Sequence, residues 1–226
     1  MLGVYDYTVI LTYLSIISAS IGIVFTFHPN GALVAIVCLM VCGLLDAFDG
    51  KVARTKKNRT DFERKFGIQI DSLSDVIAFG VLPAAIGANL VRFSRFVNNL
   101  PPFYNFIKKM LFAMLFLYVL AAVIRLAYFN VTEEIRQETD EGNREFYTGV
   151  PVTTAAIIFP LIYLLQMANR LDLTLVYMFF IALTGLAFIS EVKIKKPEFK
   201  HLLILIGLGI LEVVIMVVIR LFLRHN

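Results

Sequence analysis

Seven apolar runs, each near the length of a helix that crosses a bilayer, recur at about 7–27, 31–48, 67–91, 107–128, 150–168, 172–190 and 201–223. In lipid only α-helices and closed barrels satisfy every backbone polar group, and no alternating ten-residue strands mark a barrel here. The runs therefore predict an all-α fold, a polytopic transmembrane helix bundle of about six to eight spans. With 59% hydrophobic and 17% charged residues, the 226-residue chain is too apolar for an ordinary water-soluble domain. No linker, low-complexity tract or repeat divides it, so residues 1–226 are expected to form a single membrane-embedded domain. A cleavable signal is not expected, because the first Lys or Arg is Lys51.

The net charge of +4 lies in loops between the apolar runs, which is the signature of topology and not of nucleic-acid binding. Lys51, Arg54, Lys56, Lys57, Arg59, Arg64 and Lys65 separate the second and third runs, and Lys193, Lys195, Lys196 and Lys200 the sixth and seventh. Both loops are expected in the cytoplasm, together with the N-terminus, which leaves Arg92, Arg95, Lys108 and Lys109 around an external loop turned by Pro101 and Pro102. The mixed-sign stretch Val131–Tyr147 reads as a solvated cytoplasmic loop or surface helix. Pro83 and Pro160 fall inside apolar runs, where they should kink helices whose freed carbonyls are satisfied by packing. Cys38 and Cys42 read as buried, reduced gap-fillers. Glu212, alone near the middle of the last run, is either paired with a neighbouring helix or functional.

Chemistry concentrates between Asp46 and Asp75. Asp46 and Asp49 stand three apart at the end of one predicted helix, and Asp71 and Asp75 four apart at the start of the next, so each pair shares a helical face. Two such faces turned together would crowd four carboxylates, which repel one another unless cations or protons intervene. All-oxygen ligation selects hard ions, favouring Mg²⁺ or Mn²⁺ with Ca²⁺ as an admissible occupant, and the lack of a His/Cys cluster argues against zinc. Gly50, Ala53 and Gly67 leave room for a diphosphate, and Arg54 is placed to meet its charge. Asp75, deepest along its helix, is the candidate general base. Lys56, Lys57 and Arg59 either attract nucleotide phosphates or simply enforce topology.

These residues resemble the signature of the CDP-alcohol phosphotransferase family, D-x-x-D-G-x-x-A-R followed by G-x-x-x-D-x-x-x-D, at Asp46, Asp49, Gly50, Ala53, Arg54, Gly67, Asp71 and Asp75. The resemblance implies two divalent ions, the first held by Asp46, Asp49 and Asp71 and the second by Asp46, Asp71 and Asp75, with Asp75 as base. It implies CDP-lipid binding by Asp46, Asp49, Gly50, Ala53 and Arg54. Twelve residues separate Arg54 from Gly67 where the family more often has eight or nine, so Thr60 stands in for a hydroxyl contact usually found just before the glycine. Further stretches are similar to the phosphatidylserine synthase branch: Phe66–Pro83, Arg125–Asn130 with Tyr128 in place of a second arginine, Tyr147–Pro151, and Ser190–Lys200.

That branch implies transfer of a phosphatidyl group from CDP-diacylglycerol to L-serine, and the resemblance implies a homodimer; the basic loops put the expected active site on the cytoplasmic side. Arg125 meets either the serine carboxylate or a lipid phosphate, or snorkels to the interface. Asn130 donates to the same ligand or ends its helix, and Ser72 and Ser74 either flank the chemistry or are packing hydroxyls. The alternatives are the same chemistry with glycerol 3-phosphate or an inositol compound as acceptor, an archaeal ether CDP-lipid as donor, or, more remotely, a divalent-cation transporter.

Overall fold

The computed structural model describes residues 2–101, 105–138, 146–169, 171–195 and 207–219 apart from 210 and 213, with side chains described outside 136–138, 146–148 and 193–195. Its helices are α1 (Ile10–Phe25), α2 (Ala32–Ala53), α3 (Asp61–Asp75), α4 (Leu82–Phe93), α5 (Arg95–Asn98), α6 (Asn105–Glu138), α7 (Ala155–Asn169) and α8 (Thr174–Phe188). A further apolar helix, α9, covers Gly207–Ile219. Among the described residues, four segments are long and apolar enough to cross a membrane: Ala32–Ala53, Asp61–Phe93, Asn105–Ile135 and Val152–Asn169; α1, α8 and α9 are shorter apolar helices. Large apolar side chains such as Phe116, Leu117, Phe179 and Leu186 point outward, as they do where lipid takes the place of water. The protein is a multi-pass integral membrane protein of helices, as the apolar runs predict.

Helices both near and far along the chain pack together. α1 lies along α2, α6 lies along α8, and α2 also meets α7. The third apolar run is read from residue 67, but its helix begins at Asp61. Thr60 caps it: its hydroxyl accepts the Glu63 N–H (3.2 Å), while the Glu63 carboxylate accepts the Thr60 N–H (2.9 Å). This capping box satisfies two backbone donors at once and extends the helix beyond the apolar stretch. Asp71 and Asp75 thus close α3 and do not open it.

Between α3 and α4 the rod passes through a π-helical turn, Val76–Val81. Pro83 follows it. In an α register a donor at position 83 would serve the Phe79 carbonyl; proline has none, and the buried Tyr118 hydroxyl donates to that oxygen instead at 2.7 Å. Tyr177 likewise donates to the Pro83 carbonyl at 2.9 Å. The two phenols belong to an aromatic core in which Tyr118 meets Phe159 edge-on at 5.9 Å and Phe188 at 5.5 Å, and Phe159 meets Tyr177 at 4.8 Å.

The polar stretch from Val131 opens as a continuation of α6 as far as Glu138; residues 139–145 lie outside the described residues. Two three-residue strands, β1 (Phe146–Thr148) and β2 (Lys193–Lys195), pair antiparallel and add a small ribbon that an all-α expectation omits. Gly149 follows with φ +78°; its N–H donates to the Val192 carbonyl at 2.7 Å, and a Cβ there would lie 2.9 Å from the Ser190 oxygen and 3.0 Å from that of Phe188. Only glycine suits that turn. Pro102 and residues 196–206, including Pro197 and Phe199 of the late motif, lie outside the described residues. Cys38 and Cys42 are free thiols. α9 joins the core through Met216; Glu212 is buried there, and its Oε2 has no hydrogen-bond partner among the described residues.

Candidate active site

Helix α2 carries Asp46 and Asp49 one turn apart near its C-terminus, and α3 carries Asp71 and Asp75 one turn apart at its own. A carboxylate oxygen from each of Asp46, Asp49 and Asp71 falls within 4.8 Å of the other two. Asp75 completes the group from one turn further along, where its carboxyl approaches that of Asp46, while Asp71 approaches Asp49. All four are partly buried. Asp49, near the C-terminus of α2, also lies towards the negative end of that helix's dipole, which adds to the crowding of negative charge. Lys51 in the last turn of α2 and Arg54 at its C-cap are the local cations. The donor set is entirely carboxylate oxygen, with the spacing and charge that a hard divalent cation satisfies.

The small residues lie beside the carboxylates on the same two helices. The Arg54 guanidinium folds back over Gly50, with Nη1 3.4 Å from where a Cβ would stand. Gly67 lies one turn before Asp71 on the same face of α3, and the Arg59 guanidinium rests on it. Ala53 ends α2. The loop cations part company here: Lys56 is clamped between Asp6 (2.7 Å) and Glu63 (2.8 Å), Arg64 pairs with Asp61 (3.2 Å), and Lys57 is exposed. The Lys56 ammonium, the Thr8 hydroxyl and the Thr8 N–H hold the Asp6 carboxyl down at about 2 despite its partial desolvation.

Ser72 and Asn130 pair across α3 and α6, with Asn130 Nδ2 2.8 Å from Ser72 Oγ and Ser72 Oγ 3.0 Å from Asn130 Oδ1. This brings Asn130 beside the aspartates. Ser74 is a packing hydroxyl that donates to the Thr12 carbonyl at 3.4 Å. Arg125 is buried; its Nε donates to the Val150 carbonyl (3.1 Å) and its Nη2 to that of Gly149 (3.3 Å), with Phe129 alongside at 5.8 Å. It ties α6 to the Gly149 turn. Thr60 spends its acceptor on the cap of α3, and its own O–H remains to donate. Sequence reasoning missed two features here, the seat of Arg59 on Gly67 and the capping box, although the second is legible as Thr60-x-x-Glu63.

Residues 8–188 match the CDP-alcohol phosphatidyltransferase family. The chain is 31% identical over 188 residues to a CDP-diacylglycerol–serine O-phosphatidyltransferase of Helicobacter pylori, a match spanning 81% of this chain and 69% of that protein. It is 34% identical over 162 residues to an archaetidylserine synthase of Methanothermobacter thermautotrophicus, covering 70% of this chain and 59% of that one. Over 120 residues it is 32% identical to a CDP-diacylglycerol–serine O-phosphatidyltransferase of Saccharomyces cerevisiae, covering 52% and 37%. With the family match extending over every helix from α1 to α8 and over all four aspartates, the chain belongs to the CDP-alcohol phosphatidyltransferase family.

Proposed function

We propose that this protein transfers the phosphatidyl group of CDP-diacylglycerol to the hydroxyl of L-serine, giving phosphatidylserine and CMP in phospholipid biosynthesis. The observation that carries the reading is the meeting of Asp46, Asp49 and Asp71 within 4.8 Å at the ends of α2 and α3, in a chain whose relatives bear the name of that reaction. Held by these three, with Asp75 joining Asp46 and Asp71 around a second ion, Mg²⁺ or Mn²⁺ would supply Lewis-acid stabilisation of charge on the diphosphate, and Ca²⁺ fits the same oxygen set.

The chain's own groups do the rest. Gly50 and Ala53 admit the diphosphate to the end of α2, Arg54 pairs with its oxygens, and the O–H of Thr60 donates from the loop. Asp75 takes the proton of the serine hydroxyl as that oxygen attacks the phosphorus bearing the diacylglycerol. The bond from this phosphorus to the bridging oxygen breaks, and CMP leaves with the electron pair. Asn130, steadied by Ser72, offers an N–H to the serine carboxylate at the rim of the site, and Arg125 positions the Gly149 turn on the same side of α6. The site faces the cytoplasm, where serine is dissolved, while the lipid enters laterally between helices. The basic loop around it supports that orientation. Residues 1–226 act as one catalytic domain, assembled as a homodimer.

A second reading keeps serine and changes the donor: the archaetidylserine synthase relative favours an ether-linked CDP-lipid. The test is CMP release by purified protein in detergent with Mg²⁺ or Mn²⁺, supplying diacyl or ether CDP-lipid with L-serine, glycerol 3-phosphate or no acceptor. Release that requires serine, stops with a chelator and is lost in Asp75→Asn and Asp71→Asn supports the assignment. Release with another acceptor removes serine from it. Silence of folded, metal-supplied protein under every condition overturns the enzyme and leaves ion transport as the function to pursue.

A further inference from the structure

We propose that Arg59 is a second arginine for the diphosphate of the CDP-lipid, a role that rests on the transferase reading above. Arg59 lies in the loop between α2 and α3, yet its side chain is only partly exposed to water. It folds back on α3, where Nη2 donates to the Glu63 carbonyl at 3.2 Å. The guanidinium rests on the bare backbone of Gly67: a Cβ at that position would lie 2.7 Å from Nη2 and 3.9 Å from Cζ. Any other residue at 67 would push it off. Gly67, Asp71 and Asp75 follow one another at intervals of four along a single face of α3, so this seat is the outermost position of the catalytic face.

Two features show that the seat is incomplete. The Nε of Arg59 is buried and has no hydrogen-bond partner among the described residues. No carboxylate among the described residues comes within ion-pair distance of Arg59, although in the same region Lys56 has two and Arg64 one. A cation drawn partly out of water with an unanswered N–H is an arrangement that a visiting anion relieves. The geometry also has a counterpart across the site. Arg54 lies over Gly50 on α2 as Arg59 lies over Gly67 on α3, so each helix that carries two of the aspartates also has a guanidinium over the glycine one turn away on its acidic face. Two planar forks, one from each helix, match a diphosphate, whose two phosphates each accept paired N–H bonds, better than they match a single carboxylate. When the lipid enters, the Arg59 fork turns from the Glu63 carbonyl to the phosphate oxygens, and the nucleotide takes the space above Gly67.

The test is binding of CDP to the purified full-length protein in detergent with Mn²⁺, followed by calorimetry, alongside the KM for CDP-diacylglycerol in the CMP-release assay. Arg59→Gln should weaken CDP binding about tenfold, the loss of one charge-assisted contact, and raise the KM for CDP-diacylglycerol by a similar factor. The kcat, the KM for serine and the melting temperature should stay within about twofold, twofold and 2 °C of wild type. Arg59→Lys, which keeps the charge and loses the fork, should recover part of the binding. Arg64→Gln removes the same charge from an exposed pair beside it and should change nothing. The proposal is overturned by unaltered CDP affinity in Arg59→Gln, by equal weakening in Arg64→Gln, or by a lowered melting temperature and kcat in both Arg59 variants with unchanged CDP affinity, which would make the residue structural. If wild type releases no CMP with any acceptor, the transferase reading falls, and the CDP titration still decides the role of Arg59.

Discussion

Tyr118→Phe removes one oxygen from the middle of the bundle and keeps the ring that Phe159 and Phe188 pack against. That oxygen is the donor to the Phe79 carbonyl, at 2.7 Å. Pro83 cannot take its place, because it has no N–H to offer. An unmet buried carbonyl costs about 1–3 kcal/mol, and side-chain hydrogen bonds within membranes are worth about 0.6 to 1.7 kcal/mol. With the natural backbone donor missing, a loss of about 1.5–2 kcal/mol is expected, or a fall in melting temperature of about 3–8 °C at this size. Tyr177→Phe is the internal comparison. Its acceptor, the Pro83 carbonyl, has the N–H of Gly87 available in the α register of α4, so its loss should be less than half as large. Because Phe79 lies one turn beyond Asp75, the same change should lower kcat for CMP release about tenfold by loosening the placement of the carboxylates. Thermal unfolding in detergent, followed by tryptophan-free far-ultraviolet dichroism, measures the first effect. A Tyr118→Phe protein that melts within about 1 °C of wild type, or no lower than Tyr177→Phe, would refute the reasoning that the phenol replaces the proline's missing donor.

Gly149→Ala should cost about 2–4 kcal/mol, since alanine pays about 1–2 kcal/mol at positive φ and its Cβ meets two carbonyl oxygens at 2.9 and 3.0 Å; a melting temperature within about 1 °C of wild type would contradict this. Asn130→Ala should raise the KM for L-serine about tenfold and leave that for CDP-diacylglycerol unchanged, as initial-rate kinetics in both substrates would show. The Asp6 carboxyl, held at about 2 by the Lys56 ammonium and Thr8, lies below its unfolded value of about 3.9, so its contribution is complete above pH 4 and disappears as pH falls through 2. Asp6→Asn should therefore melt slightly lower than wild type at pH 7, by about 2 °C at most for so accessible a pair, and the difference should close between about pH 4 and pH 2.

The spans and the four aspartates were legible because both are written in local pattern. Apolar runs report bilayer crossings whatever the tertiary arrangement, and carboxylates three and four apart share a helical face before any neighbour is known. The structure brings Asp46, Asp49 and Asp71 together as that spacing predicts. What escaped was set by distant partners. Nothing near Phe79 announces that Tyr118 will answer its carbonyl, and the pairing of Tyr147 with Ile194 joins segments on opposite sides of α7 and α8. Asn89, which donates to the carbonyls of Thr26 and His28 at 2.6 and 2.8 Å, is another long-range polar contact that no periodicity signals. Arg125 reads from the sequence as a partner for the serine carboxylate or a lipid phosphate, or as a snorkelling cation; its burial against the carbonyls of Gly149 and Val150 is not written there. The start of α3 was misplaced for a different reason. Reading the helix from its apolar stretch ignored the capping box, which fixes an end through backbone donors and not through burial.

The π-helical turn between α3 and α4 acts as a phase shifter. In an uninterrupted α-helix Phe79, Leu82 and Ile86 would fall on the stripe of Asp75, at four, seven and eleven residues beyond it. Acidic and core side chains would then compete for one neighbour. The extra residue absorbed by Val76–Val81 rotates one set from the other by about 100°. One continuous rod can thus present Asp71 and Asp75 to α2 while the Phe79 carbonyl meets the Tyr118 hydroxyl of α6. Any chain built to this plan has to keep the number of residues between Asp75 and Leu82 fixed, since a single deletion there would swing the acidic face off its partner helix even with every side chain of the site intact.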